Sequence, residues 1–381
     1  MPLFKAGCMR NGKDIMNASF QQPGMTKVAI VGTQGVPAQY GGFESLVDNL
    51  ISNNAKDDVE YTVFCSSIDM PEKLGSYKGA RLRYVPLKAN GIQSVLYDIV
   101  SMWKCLRGFD VILILGVSGG LFLPFFHLIN KNKLIINIDG QEYKREKWGR
   151  FAKWVLRISE ALAVKYADVV IADNKGIQDY VSEVYHRPST LISYGGDHAQ
   201  RDLSQDFIEE VLDRYGLKAR QYAITVCRIE PENNCEIVLH AFARSDKQLI
   251  YIGNWNHNEY SRSLREKYSR FKNIQMLDAI YDLDVLYALR SQASLYVHGH
   301  SAGGTNPSLV EAMFFGIPIV AYNVVYNRET TEHKAYYFKD ADDLLELISA
   351  DQFDGSRMKE IAARRYKWSI IARQYSDLYH K

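Results

Sequence analysis

HSAGGTNPSLVEAMFFGIPIVAYN, residues 300–323, follows the apolar run Ala293–Val297 and ends in another, Ile317–Ala321. A glycine turn and one short helical pattern between two such runs fit the repeating unit of a parallel sheet covered on both faces. Asn306 is suited to cap that helix and Pro307 to open it, so the spacing predicts a helix over 307–315. A helix start of this kind attracts a phosphate, here beside Gly303, Gly304 and Thr305. Glu311 sits one turn inside, among Leu309, Val310, Ala312 and Met313. In that company an acid is either a solvated helix-face residue or meets a hydroxyl or a cation. A ribose diol would offer one carboxylate two hydroxyls.

The same strand and helix alternation extends in both directions. Toward the N-terminus, strand-like runs occupy 27–32, 61–65, 82–86, 110–115, 134–138, 168–172 and 190–193; a second series occupies 221–227, 248–253, 273–277, 293–299 and 317–323. Residues 194–207, YGGDHAQRDLSQDF, are rich in glycine and charge and separate the two series. The expected architecture is α/β, two doubly wound domains facing a central cleft, where such sheets bind ligands. We place a loose extension at 1–24, the first domain at 25–197, the second at 198–364 and a closing helix at 365–381. At 381 residues the chain is long for a single core, in keeping with this division.

Two strand ends carry further candidates. After the first strand, Gly32, Gly35, Gly41 and Gly42 precede a helix expected from about Phe43. They either let the backbone approach a ligand or shape a long tight turn, and their spacing is not the GxGxxG of a dinucleotide site. Arg228 lies just beyond the carboxyl end of the strand 221–227, where a guanidinium is placed to grip a diphosphate or to form a surface ion pair. His298 and His300 flank the glycine turn within reach of a sugar or phosphate, with no third residue at metal-ligand spacing. A nucleoside diphosphate on the second domain and another substrate on the first describe a donor and an acceptor.

Net charge is only +2 and no recognition module is apparent, which argues against nucleic acid. The five cysteines, Cys8, Cys65, Cys105, Cys227 and Cys235, show no CxxC and suit a reducing, cytoplasmic setting with mostly buried thiols. The long apolar run Val111–Ile129 is broken by Gly116, Ser118, Gly119, Gly120 and Pro124, and divides into a strand, a turn and a helix start.

VGTQGVPAQYGGFESLV (31–47), NIDGQEYKREKWGRFAKW (137–154), RIEPENN (228–234) and HGHSAGGTNPSLVEAM (298–313) together resemble a GT-B glycosyltransferase of the large retaining family 4. Within that family the likeness is to the bacterial rhamnosyltransferase-like, DUF1972-type branch, over roughly residues 25–381. The resemblance implies a donor site made by Gly41, Gly42, Arg228, His298, Gly303, Gly304, Thr305, Asn306 and Glu311. It implies catalytic roles for Asp139, Arg228 and Glu311, no metal and no cofactor. Asp139 would bind sugar hydroxyls, orient the acceptor or accept a proton, or it is simply a turn former before Gly140; Glu142 is a second candidate in that loop. Two positions depart from the wider family in a way the branch shares: Gly303 stands where an acid is usual, and Asn233 where a lysine follows the donor-site arginine. Arg228, the glycine turn and the helix dipole would then neutralise the leaving diphosphate.

The implied reaction moves a sugar, with retention, from a nucleoside diphosphate to an acceptor hydroxyl. The branch points to L-rhamnose from dTDP-L-rhamnose, and also admits N-acetylglucosamine from its UDP form. KREKWGRFAKWVLR (144–157) sets Lys144, Arg145, Lys147, Arg150, Lys153 and Arg157 beside Trp148, Phe151 and Trp154. That pattern suits an anionic membrane surface or a lipid pyrophosphate; otherwise the tryptophans are core and the basic residues a solvated face. Residues 94–109 are placed to contribute to the same surface. The acceptor reading is a lipid-linked saccharide, with peripheral attachment to the cytoplasmic face of the membrane. A catalytically silent nucleotide-sugar-binding protein and a sugar-nucleotide epimerase are the alternatives.

Overall fold

The computed structural model describes residues 25–38, 41–54, 58–91, 93–138, 140–144, 148–350 and 352–380. The first sheet comprises β1 (Thr26–Val31), β2 (Val59–Ser66), β3 (Ser76–Tyr77), β4 (Ala80–Val85), β5 (Val111–Leu115), β6 (Lys133–Asn137), β7 (Val169–Ala172) and β8 (Thr190–Leu191). Its order is β3-β4-β2-β1-β5-β6-β7-β8, parallel throughout except for the β3–β4 pair. The second sheet comprises β9 (Tyr222–Val226), β10 (Gln248–Ile252), β11 (Ile274–Leu277), β12 (Leu295–His298), β13 (Ile319–Tyr322) and β14 (Tyr336–Phe338). All its pairs are parallel, in the order β11-β10-β9-β12-β13-β14. Each strand-like run read from the sequence forms a strand; the two-residue β3 and three-residue β14 are additional.

In each sheet the chain reverses its direction of winding once, between β1 and β5 and between β9 and β12. Ligands of such sheets collect outside the carboxyl ends of the strands at that point. Gly32, just past β1, shows how tightly this place is built: its φ is +94°, and a Cβ would fall 2.1 Å from the carbonyl oxygen of Leu115. Only glycine lets the loop after β1 cross the end of β5.

Alternate residues of each strand bury into opposite helix layers. Val28, Ile30 and Val63 pack with Leu46 and Leu50 of α1 (Gly42–Ser52) and with Trp368, Ile371 and Tyr375 of the closing helix Trp368–His380. Ala29, Val31 and Ile112 pack with Tyr97 of α2 (Gln93–Lys104), Phe126 of α3 (Leu123–Ile129) and Val164 of α4 (Arg150–Tyr166). The closing helix is tied down by polar contacts as well. Tyr375 Oη accepts from Asn137 Nδ2 at 3.1 Å, and Lys133 Nζ donates to the Leu378 carbonyl at 2.7 Å.

One acid is buried inside the second of these layers, that of α2, α3 and α4. Asp98 of α2 is 3% exposed beneath Gly119, and burial pushes its carboxyl up to about 8 against the lowering effect of the Gly119 N–H. Its folded pKa lies above the unfolded value of about 3.9, so its stabilisation is full below pH 4 and is lost as pH rises toward 8. Asp98→Asn removes that loss. Urea unfolding at pH 5.5 and 8.0 is expected to show the variant gaining on wild type by up to about 1.4 kcal/mol per pH unit. A constant difference between the two would refute the ionisation.

Candidate active site

The loop after β1, the ends of β9 and β12, and the start of the helix Pro307–Met313 enclose a cavity of about 420 Å³ between the sheets. Gly41, Gly42, Arg228, Gly303, Gly304, Thr305, Asn306 and Glu311 all line it, together with Gln34, Glu44, Tyr194, Cys227, Asn233 and His300. A second cavity of about 960 Å³ shares Ser45, Ser308 and Glu311 with the first and extends past Arg290, Tyr281 and Lys78. Glu311 thus stands at the junction of two connected spaces.

Its carboxylate already has a cation. Arg290, 3% exposed on the helix Leu283–Ser291, donates to Glu311 Oε2 at 2.7 Å, and His198 Nε2 lies 3.3 Å from Oε1. Burial alone would push this carboxyl up, but the Arg290 charge and the His198 hydrogen bond outweigh it and hold its pKa down at about 2. Of the sequence alternatives for Glu311, a solvated helix-face residue or one that meets a hydroxyl or a cation, the structure gives a cation supplied by the chain itself. Arg290 was not legible as its partner, because a lone arginine at a helix C-terminus reads as a dipole-compensating surface residue.

Arg228 is exposed in the cavity, and no carboxylate among the described residues pairs with it. Asn233, five residues after Arg228, is 3% exposed and faces inward. Its Nδ2 donates to the Arg228 carbonyl at 2.7 Å and its Oδ1 lies 2.6 Å from His300 Nδ1. Asn233 therefore braces the backbone that presents Arg228 and the ring of His300.

The glycine turn is occupied on its far side by the first sheet. Thr305 N donates to Asp173 Oδ2 at 3.0 Å, Thr305 Oγ1 donates to the Asp173 carbonyl at 2.6 Å, and Asn174 Nδ2 reaches Thr305 Oγ1 at 3.2 Å. A Cβ on Gly304 would fall 1.9 Å from Asp173 Oδ1, and one on Gly140 would fall 2.9 Å from Gly303 Cα. These glycines let the two sheets meet backbone to backbone, and the Thr305 amide is already committed to Asp173. Asn306 caps the helix as expected, its Oδ1 accepting from Ser308 N at 3.0 Å. The helix ends at Met313, two residues earlier than read, and its seven residues provide only a small dipole.

His298 requires correction. It closes β12, still paired with Ala321, and is 2% exposed; burial holds its pKa down at about 3. It is not among the residues lining the cavity, whereas His300, beyond the strand end, is. Gly41 has a local reason to be glycine: its φ is +123° and a Cβ would lie 2.0 Å from Glu44 Oε2. Glu44, also overlooked, accepts from Thr33 Oγ1 at 3.0 Å and from Gln34 N at 2.8 Å and fastens the loop; burial raises its carboxyl pKa.

On the first-domain side, Asp139, Arg145 and Lys147 lie outside the described residues. Glu142 accepts from Trp148 Nε1 at 3.0 Å, so Trp148 is half-buried ahead of α4 rather than on its outer stripe. Lys144 and Arg150 are exposed, as are Phe151 (77%) and Trp154 (60%), whose ring centroids are 6.1 Å apart. Trp103 of α2, stacked on Phe125 of α3, is also exposed, with Leu128 at 80%. Among the described residues no group of three His, Cys, Asp or Glu side chains is arranged to hold a metal ion, and no helix is long and apolar enough to cross a membrane. Cys65, Cys105 and Cys235 are buried free thiols, while Cys227 lines the cavity; Cys8 lies outside the described residues.

Two doubly wound sheets meeting across a cleft of this make define the GT-B class. Solved structures share it: sucrose-phosphate synthase from Thermosynechococcus elongatus (16% identity, TM-score 0.78, covering 93% of this chain and 98% of that one). Anabaena Alr3699/HepE in complex with UDP-glucose matches at 16% identity and TM-score 0.73 over 92% and 98%, and Arabidopsis thaliana starch synthase IV bound to ADP and acarbose at 11% and 0.69 over 94% and 99%. At these identities the likeness concerns the fold. No curated protein sequence matches the chain. Residues 208–357 match the family model "Glycosyl transferases group 1", and residues 25–197 match "Domain of unknown function (DUF1972)". The protein is a GT-B fold glycosyltransferase with an N-terminal domain of the DUF1972 type.

Proposed function

We propose that this enzyme moves L-rhamnose from dTDP-L-rhamnose, with retention of configuration, onto a lipid-linked saccharide in bacterial surface polysaccharide synthesis. The observation that carries the reading is an exposed Arg228, with which no carboxylate among the described residues pairs, beside a strongly ionised Glu311 in one cavity, together with the basic, aromatic start of α4 on the other domain. Arg228 takes the diphosphate, and Glu311 accepts hydrogen bonds from ribose hydroxyls through the lone pairs that Arg290 and His198 leave open. The Anabaena relative is seen with UDP-glucose, which agrees with a nucleotide sugar as donor.

The cavity carboxylates favour a front-face route. Glu44 and Glu311, the acids among the described residues lining the smaller cavity, are each engaged by protein donors, and in this reading Glu311 is committed to the ribose rather than placed as a nucleophile. The bond from the sugar to the diphosphate breaks as the acceptor oxygen bonds on the same face. The departing phosphate oxygen takes the acceptor proton, with the Arg228 guanidinium balancing its charge.

α4 starts on the cleft side of its sheet because it follows β6, which ends there. α2, α3 and α4 cover one face of the sheet, so Trp103, Phe125, Leu128, Phe151 and Trp154 project from a single helix layer. With Arg150, Lys153 and Arg157 beside them, these residues suit the headgroup region of an anionic bilayer, from which a lipid-linked acceptor would reach the cleft. Co-sedimentation with vesicles containing phosphatidylglycerol is expected for wild type and reduced about tenfold or more in Phe151→Ser/Trp154→Ser. Equal recovery of both in the supernatant would remove the membrane element.

Release of nucleoside diphosphate from dTDP-L-rhamnose and UDP-N-acetylglucosamine, with and without a polyprenyl-diphosphate-linked saccharide, tests the donor and acceptor together. Release that requires both dTDP-L-rhamnose and the lipid acceptor supports the proposal. A requirement for UDP-N-acetylglucosamine would replace the sugar, and donor binding without turnover on any acceptor would identify a silent binding protein.

A further inference from the structure

Glu311 is also gripped by the segment 194–199, which runs on toward the closing helix. Residues 194–199 thread between the helix Pro307–Met313 and Trp368, and two glycines make the passage possible. A Cβ on Gly195 would fall 2.5 Å from the Trp368 ring, and one on Gly196 would fall 2.9 Å from Glu311 N. Past them comes the short turn Asp197–Ala199. Trp368 N donates to Asp197 Oδ1 at 2.8 Å, and Trp368 Nε1 donates to His198 Nδ1 at 2.9 Å.

An indole N–H can only donate, so His198 Nδ1 is an acceptor and the ring proton sits on Nε2, directed at Glu311 Oε1 3.3 Å away. Trp368 is the first residue of the closing helix, which also bonds to the first sheet through Asn137 and Lys133. A continuous chain of hydrogen bonds therefore leads from that helix through His198 to a carboxylate on the second domain.

We infer that His198 is a positioning residue of the donor site, and that Trp368 fixes its tautomer so that the seating of the closing helix sets the orientation of the Glu311 carboxylate. The inference rests on the reading of Glu311 as a donor contact. Arg290 holds one carboxylate oxygen and His198 the other, so the carboxylate plane is defined before the nucleotide arrives. Donor affinity then depends on His198 and Trp368, while acceptor affinity does not.

The test uses the full chain as His198→Leu, His198→Gln and Trp368→Phe, with KM measured for sugar nucleotide and for acceptor, and Kd for UDP and dTDP by calorimetry. A hydrogen bond to a charged group is worth roughly a ten- to hundredfold change in binding. His198→Leu is expected to raise donor KM and nucleotide Kd by about that factor and to leave acceptor KM unchanged. Trp368→Phe keeps the aromatic packing and is expected to show a smaller rise, about three- to tenfold. His198→Gln retains a side-chain N–H donor and is expected to recover most of the loss; with Trp368→Phe it carries the test should the leucine variant not fold. Unchanged donor KM and Kd in all three variants, an equal rise in donor and acceptor KM, or a glutamine variant no better than leucine would each overturn the inference. If wild type binds neither UDP nor dTDP, the donor reading falls and this inference with it. If wild type binds nucleotide and the variants bind it equally well, the inference falls alone.

Discussion

Glu311→Ala is expected to lose about 3–5 kcal/mol of stability and all measurable turnover, whereas Glu311→Leu with Arg290→Met regains most of the stability and none of the activity. The asymmetry comes from burial. Arg290 has only 4% of its side chain exposed, its Nε has no hydrogen-bond partner among the described residues, and Glu311 is the carboxylate that pairs with it. Removing the acid leaves a buried cation uncompensated, while replacing both partners with apolar groups removes the charge problem altogether. Urea unfolding beside a nucleoside diphosphate release assay separates the two effects. A Glu311→Ala chain as stable as wild type would show that the pair does not anchor the second domain. The pH dependence follows the same sign: the folded pKa of about 2 lies below the unfolded value of about 4.3, so the pair stabilises above that value. That contribution is lost as pH falls toward 2.

Arg228→Ala is expected to lower kcat/KM about 10²- to 10³-fold with no change in unfolding, and Arg228→Lys to recover only part of it. Arg228 is the one lysine or arginine among the described residues lining the smaller cavity, and Asn233, five residues on, faces inward. The Thr305 amide is spent on Asp173, and the following helix has only seven residues, so neither substitutes for a guanidinium. Steady-state kinetics with the donor varied provides the check. A loss below about threefold would mean that the diphosphate is neutralised elsewhere.

Much of the fold was legible because parallel strands buried on both faces are written as unbroken apolar runs, from KVAIVG at 27–32 to IPIVAYN at 317–323. β3 and β14 escaped because two or three residues at a sheet edge need no such run. The cleft was legible where one residue broke a local rule: Glu311 in an apolar helix, Arg228 past a strand end, glycines crowded after β1. What stayed hidden depends on contacts distant in sequence. His198 and Trp368 are 170 residues apart and Asp173 and Thr305 132 apart, and no local pattern marks either pair. His298 misled because the sequence does not tell the last buried residue of β12 from the first residue beyond it.

The anomeric configuration of the product tests the central claim most directly. Wild type incubated with the sugar nucleotide and a lipid-linked saccharide should yield, by NMR of the isolated product, a glycosidic bond with the configuration the sugar had in the donor. An inverted linkage would require an acid in the cleft to deprotonate the acceptor on the opposite face, and would contradict the front-face account; recovery of donor and acceptor unchanged would contradict the transferase itself.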